Sequence, residues 1–406
     1  MTTTAVDPCC PPPAPSRTAT VRAAIAEGHE HGAVVPPLHL SANFTFAGFD
    51  QKRCYDYTRS GNPTRTQLAE AIAALEGGET GIVTSTGMSA VWLVLQVLRP
   101  GDEVIAAHDC YGGTQRLLRA LAAKAHSRVR FEDLTSAAGL RAVADSRARL
   151  VWAETPSNPL LRITDLRALR AAATAAGALL AVDNTFLSPA LQRPLALGAD
   201  VVVHSTTKYL NGHSDVVAGA VVTADRALGE ELAWWANAAG VTGAPFDAYL
   251  ALRGLRTLHA RWDHHLANTA RVVEALVGHP AVARVHYPGL ASHPGHAVAC
   301  TQQHGFGGIV SAELRGGVAA ARTVVESLRC FTLAESLGGV ESLVAHPATM
   351  THASMDAAAR AVAGIGEGLL RFSVGIESAG DLVADLTQAL DRAVVLGERS
   401  AVEAAA

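Results

Sequence analysis

The sequence predicts an α/β protein: a large domain built on a mostly parallel sheet, followed by a smaller α+β C-terminal domain. Three observations carry this. From about residue 66 onward, short apolar runs alternate with longer helical patterns, as in a parallel sheet covered by helices. The runs at 103–107 (EVIAA), 149–153 (RLVWA), 178–182 (ALLAV) and 200–203 (DVVV) read as buried strands, each followed by polar residues. At 406 residues the chain exceeds one simple core, and residues 267–406 mix helices with glycine-broken strands. The expected divisions are 1–65 as tail and arm, 66–266 as the large domain and 267–406 as the small one.

Composition narrows the class. With 33 basic against 37 acidic residues the formal net charge is -4, so no polyanion-binding surface is expected and neither nucleic acid nor an anionic membrane is an expected partner. The hydrophobic fraction is 49%, yet every stretch of about twenty apolar residues is interrupted by charge, so no membrane-spanning helix is expected. Cysteines at positions 9, 10, 54, 110, 300 and 330 follow no CxxC or disulfide-framework spacing, which fits a reducing, cytoplasmic compartment. The first seventeen residues, with Pro11, Pro12, Pro13 and Pro15, read as a disordered tail. The segment from there to residue 65, with the turn signal Gly61-Asn62-Pro63, reads as an extended arm. His264-His265 and His293/His296 lack a third ligand of suitable spacing, so no metal is assigned.

Four polar groups follow the strands: His108-Asp109-Cys110-Tyr111, Glu154-Thr155-Pro156-Ser157-Asn158, Asp183-Asn184-Thr185 and His204-Ser205-Thr206-Thr207-Lys208. Ligands of open α/β sheets bind at the carboxyl ends of the strands, where these groups converge. Lys208 shares its loop with Ser205 and Thr207, so one segment offers an amine and two hydroxyls, a set suited to an aldehyde-bearing phosphate ester. Asp183, ending its own strand, is placed to hold a proton on a pyridine nitrogen. Either residue alone reads equally well as an ordinary loop or turn residue; together they point to pyridoxal 5′-phosphate. Thr84-Ser85-Thr86-Gly87-Met88-Ser89 opens an apolar helix expected from Ala90 to Leu98, and reads either as a phosphate cradle of free N–H groups or as a plain N-cap. Tyr111, backed by Gly112 and Gly113, either stacks on a planar cofactor and moves a proton or is structural. Arg371 begins the apolar run Arg-Phe-Ser-Val-Gly-Ile-Glu and needs a partner if buried: a substrate carboxylate or an acidic side chain.

Beyond these single readings, Asp56-Tyr57-Thr58-Arg59-Ser60-Gly61-Asn62-Pro63-Thr64, Val182-Asp183-Asn184-Thr185-Phe186, Ser205-Thr206-Thr207-Lys208-Tyr209 and Glu335-Ser336-Leu337-Gly338-Gly339 stand in fixed order. Each resembles a hallmark of the cystathionine-metabolising (Cys/Met metabolism) family of fold-type I pyridoxal-phosphate enzymes. The resemblance runs from about Val35 to the last helix and implies an aspartate-aminotransferase-like fold. His108 to Gly113, Asn211-Gly212-His213-Ser214-Asp215 and Trp234-Trp235-Ala236-Asn237 look most like the bacterial γ-replacing members, which join cysteine to an activated homoserine ester.

The resemblance implies roles position by position. Lys208 holds the cofactor as a Schiff base, Asp183 pairs with its ring nitrogen and Tyr111 stacks on its face. Gly87, Met88, Ser205 and Thr207 contact the phosphate, together with Tyr57 and Arg59 of a neighbouring subunit, so the active unit is expected to be a homotetramer, a dimer of dimers with shared sites. Asn158 and Arg371 hold the substrate α-carboxylate and Ser336 orients Lys208. Arg53, Asp56, Arg116, Asn237 and Glu335 surround the distal end of the substrate, with Arg53 and Arg116 drawing a succinyl carboxylate. Lys208 and Tyr111 are the implied catalytic residues, and small amino acids are the implied substrates. The implied reaction converts O-succinylhomoserine and cysteine to cystathionine and succinate. Cystathionine γ-elimination and an O-acylhomoserine sulfhydrylase reaction are the alternatives.

Overall fold

In a computed structural model of the chain, residues 10–25, 30–353, 360 and 363–405 are described. Two sheets organise the fold. The larger holds β1 (Thr80–Thr84), β2 (Glu103–Ala107), β3 (Arg128–Glu132), β4 (Leu150–Glu154), β5 (Leu179–Asp183), β6 (Val201–Ser205) and β7 (Gly219–Thr223). Its spatial order is β1-β7-β6-β5-β4-β2-β3, and β7 alone runs against the rest. The smaller holds β8 (Val282–His286), β9 (Ile309–Leu314), β10 (Thr332–Leu333), β11 (Leu343–Ala345) and β12 (Leu369–Ser373), in the order β10-β11-β12-β9-β8. The expected class, a mostly parallel large sheet and a smaller α+β unit, is the one observed.

Of the four expected strands, β2 has the expected bounds, while β4, β5 and β6 start one residue later and run further. Glu154 therefore ends its strand rather than beginning a loop, and Asp183 ends β5 as expected. Three strands of the large sheet lie outside the four expected runs. β3 (RVRFE) is an edge strand with charges alternating along it, so it shows no continuous apolar run. β1 and β7 are five-residue segments containing glycine, and they pair with each other at the opposite side of the sheet. The helix expected over Ala90–Leu98 instead spans Gly87–Val94, because the Thr86 hydroxyl accepts from Ser89 N–H (2.8 Å) and starts the helix three residues early.

The N-terminal expectation also needs correction. Residues 1–9 lie outside the described residues, but 10–17 pack on the protein. Arg167 donates to the Cys10 carbonyl (3.1 Å), His304 bonds to that of Pro12 (2.6 Å) and Arg193 to that of Pro13 (3.0 Å), while Ser16 caps a short helix, Arg17–Val21. Proline removes donors but leaves carbonyls, and arginine side chains reach them. The expected boundaries at residues 66 and 267 both fall inside helices. Pro63–Glu76, capped by the Asn62 carboxamide, packs Leu68 and Ile72 into the large core. Leu258–Leu276 gives Leu258 and Trp262 to the large core and Val272, Val273 and Leu276 to the small one. Among the described residues no helix is long and apolar enough to cross a membrane.

One packing feature bears directly on the site. Tyr209, next to Lys208, is buried and stacks on Trp262 with ring centroids 4.1 Å apart, and Trp262 Nε1 donates to Ser188 Oγ (2.9 Å). Trp262→Ala is expected to cost about 3–5 kcal/mol of stability, read by denaturant unfolding, and to loosen cofactor retention. A loss below about 1 kcal/mol would show that the stack does not anchor the Lys208 loop.

Candidate active site

The parallel strands deliver their carboxyl ends to one edge, where a cavity of about 670 Å³ opens. It is lined by Gly87, Met88, Tyr111, Arg116, Asn158, Asp183, Ser205, Thr207, Lys208, Glu335, Ser336 and Arg371, so twelve of the expected residues converge. Arg53, Asp56, Tyr57, Arg59 and Asn237 do not line the cavity of their own chain. Three of them meet elsewhere: Arg59 Nε donates to Asn237 Oδ1 (3.1 Å) and its guanidinium lies 5.5 Å from the Tyr57 ring centre, while Asp56 pairs with Lys52 at 2.5 Å.

Lys208 donates from Nζ to Ser336 Oγ (2.6 Å). Burial, helped by the Arg371 charge, lowers its amine to about 8, while Glu335 opposes the shift. Ser336 has φ +89°, a conformation costing a non-glycine residue about 1–3 kcal/mol. It serves two partners there, since its carbonyl also accepts from Arg371 Nη2 (2.7 Å). Gly338 (φ +76°) lets the same loop lie against Tyr209, where a Cβ would come within 2.9 Å of the Tyr209 nitrogen.

Arg371 sits in the middle of β12 and is 2% exposed. Its strand neighbours are the small residues Ala345 and Ser311. Nη1 donates to Asn158 Oδ1 (3.0 Å), Nε has no partner, and no ion pair among the described residues includes it. The acidic side-chain partner left open by the sequence is thus not what the structure shows. Burial lowers the guanidinium to about 10, still cationic at neutral pH. A buried cation with an open N–H and no ion-pair partner among the described residues can receive a carboxylate.

Asp183 closes β5, accepts from Thr185 N–H (3.0 Å) and is raised from its ordinary value, mainly by burial. Glu154 closes β4 directly opposite it in the strand register. Its Oε2 accepts from Tyr111 N–H (2.7 Å) and Oε1 from Asn158 N–H (3.1 Å). Burial first, then the Asp183 charge, pushes the Glu154 carboxyl well up, and the two N–H groups oppose this. Sequence reasoning quoted Glu154 but gave it no role, although an acid closing an apolar strand is the signal that singled out Asp183. Met350 and Thr351, which also line the cavity, carry no such signal.

The same cavity is also lined by a helix N-terminus. The Gly87–Val94 helix points its free N–H groups there, with the Ser205 and Thr207 loop alongside. A Cβ at Gly87 would meet Ser205 Cβ at 2.8 Å, so glycine is what allows helix and loop to approach one another this closely. Thr86 is a true N-cap, as one of the two readings of that segment expected. Thr207 exchanges hydrogen bonds with Ala218, its Oγ donating to the carbonyl (3.2 Å) and accepting from N–H (3.1 Å), which fixes its position. Tyr111 is 40% exposed at the mouth, and its phenol is raised mainly by burial and by Glu335. A Cβ at Gly113 would lie 2.5 Å from the Tyr111 ring, so Gly113 is what lets the ring lie down.

An amine lowered towards neutrality, an acid for a ring nitrogen, a helix N-terminus for a phosphate and an aromatic lid fit pyridoxal phosphate. Comparison with known proteins agrees. Residues 17–391 match the family described as Cys/Met metabolism PLP-dependent enzyme. The chain is 52% identical over 370 residues to cystathionine gamma-synthase of Escherichia coli (strain K12), covering 91% of this chain and 96% of that protein. It is 60% identical to cystathionine gamma synthase from Xanthomonas oryzae pv. oryzae in a crystal structure with cystathionine, with a TM-score of 0.93 over 95% of this chain and 100% of that one. A cystathionine gamma-lyase from Dictyostelium discoideum is 45% identical over 362 residues, covering 89% of this chain and 94% of that protein.

The lowered Lys208 amine sets a pH dependence. Its uncharged fraction, and hence the rate at which apoprotein attaches pyridoxal phosphate, should rise about tenfold per pH unit and level off above about 8. An ordinary lysine would keep rising to about 10.4. Reconstitution followed by absorption across that range distinguishes the two.

Proposed function

The chain belongs to the Cys/Met metabolism PLP-dependent enzyme family, and from that premise we propose that it catalyses γ-replacement on an activated homoserine ester, O-succinylhomoserine, with cysteine as nucleophile, giving cystathionine and succinate. The observation that carries this reading is the cavity itself. The buried Arg371 and Asn158 hold one carboxylate at its base, while Arg116 and Glu335 stand at the mouth for the distal group. The γ-synthase relatives support it.

Bound pyridoxal phosphate supplies an aldehyde that captures the substrate amine and a protonated ring that accepts electrons from Cα. The chain's residues do the rest. Arg371 and Asn158 orient the amino acid by its α-carboxylate. Asp183 keeps the ring nitrogen protonated. With the cofactor bound, Lys208 would take the proton from Cα, pass it on to the cofactor, and then take one from Cβ, with Tyr111 assisting, so that the γ-ester could depart as succinate. Cysteine thiolate adds at Cγ, and return of the protons completes the replacement. Ser336 holds the Lys208 amine within reach of these positions throughout.

The same reading assigns Tyr57 and Arg59 to the phosphate of a second copy's site, and Arg53, Asp56 and Asn237 to the distal pocket. Their failure to line their own cavity supports it, as does the arm around them, where Phe49 is fully exposed and Leu40 and Phe46 are exposed. A homotetramer, a dimer of dimers, completes four such sites. Its proposed domains are the arm before residue 66, the cofactor domain to 266 and the C-terminal domain beyond. A cytoplasmic setting fits the five described cysteines, all free.

The test runs purified protein on O-succinylhomoserine with cysteine and, separately, on cystathionine alone. Faster cystathionine formation in the first is expected. Dominant 2-oxobutyrate in the second would make the enzyme a γ-lyase, as the Dictyostelium relative is named. Lys208→Ala should abolish turnover together with the absorption of the lysine-linked cofactor. Arg371→Ala should raise the amino-acid KM by about two to three orders of magnitude, the scale of losing one partner of a buried charge pair. An unchanged KM would overturn the carboxylate assignment.

A further inference from the structure

We propose that Glu154 is a positioning residue that locks the cofactor-stacking loop to the carboxylate clamp, so that the two sides of the site are set by one buried side chain. The inference rests on the pyridoxal-phosphate reading and concerns a group to which that mechanism gives no step.

Glu154 is 5% exposed and faces the cavity from the end of β4. Its two oxygens serve two different loops. Tyr111 N–H, at the end of the loop after β2, takes Oε2, and Asn158 N–H, in the loop after β4, takes Oε1. An N–H on each oxygen favours the ionised form against the burial that opposes it, and such charge-assisted bonds are the strong ones in a buried setting. Beyond Asn158 the chain of bonds continues without a break. Asn158 Oδ1 holds Arg371, Arg371 holds the Ser336 carbonyl, and the Ser336 hydroxyl holds Lys208. Five successive links therefore join the backbone of the stacking tyrosine to the amine that moves the protons, and Glu154 is the one member that touches both ends of the gap between the β2 and β4 loops. A side chain kept only for stability would not need to divide its two oxygens between the residue behind the ring and the residue beside the clamp.

Glutamine is the discriminating substitution. It has the same shape but one acceptor oxygen, and it turns an NH₂ towards the second N–H, so it can hold one loop and must release the other. Glu154→Asp keeps the charge and shortens the reach, and is the second variant. On the reconstituted holoenzyme, hydrogen exchange in the peptides covering 108–113 and 155–159 should quicken. Glu154→Gln should raise the cofactor Kd and the amino-acid KM together, each roughly tenfold or more, the scale of one charge-assisted hydrogen bond. The absorption of lysine-linked cofactor and the melting temperature should stay near those of the parent. Lower thermal stability with unchanged KM and Kd, or exchange confined to one segment in both variants, would reduce Glu154 to a structural acid and overturn the proposal. Failure of both variants to fold would overturn it as well. If the parent protein itself took up no pyridoxal phosphate, the cofactor reading would be at fault instead.

Discussion

The site is organised around a buried guanidinium that has no counter-charge among the described ion pairs. Leaving water costs a cation several kcal/mol, and Arg371 recovers part of that from Asn158 Oδ1 and the Ser336 carbonyl. Those two partners come from different parts of the chain, Asn158 from the loop after β4 and Ser336 from the loop before β11, while the arginine belongs to β12. Holding the cation therefore holds the two sheets in register with one another. Ser311, its neighbour on β9, adds to the same joint by donating to the Pro159 carbonyl (2.6 Å). The unsatisfied remainder of the guanidinium, its Nε–H, is what the proposed reading gives to a substrate carboxylate.

Charge at the far side of the cavity follows a similar logic. Asp183 and Glu154 close adjacent parallel strands, both raised by burial, beside a lysine lowered by burial. Desolvation disfavours every charged form, and each group has a partner that offsets it: N–H groups for the acids, the Glu335 charge for the amine. Groups pushed towards neutral pH from both directions are what proton transfer at a carbon centre requires.

Much of this was legible in the sequence because strands buried on both faces are apolar throughout, so a Lys or Asp at their ends stands out. The Lys208, Asp183 and phosphate-loop readings rest on that contrast. Edge strand β3 alternates charge with apolar residues and gave no such contrast, and the segment around Met350 and Thr351 is brought to the cavity only by tertiary packing. The packed N-terminus was missed for another reason: Cys10, Pro12 and Pro13 are held through backbone carbonyls, which every residue possesses and no composition reveals. Arg371 was ambiguous because a sequence shows that a charge is buried in an apolar run without showing what faces it.

The helix Leu258–Leu276 belongs to both cores, and this has a consequence for how the protein can be taken apart. Its first half packs with Tyr209 beneath the lysine, and its second half with Val310 and Leu386 in the smaller core. A cut within it leaves each fragment with an exposed apolar face, and a cut on either side leaves one core short of a wall. The two sheets are thus not independent modules: at this junction each core takes one of its walls from the same helix.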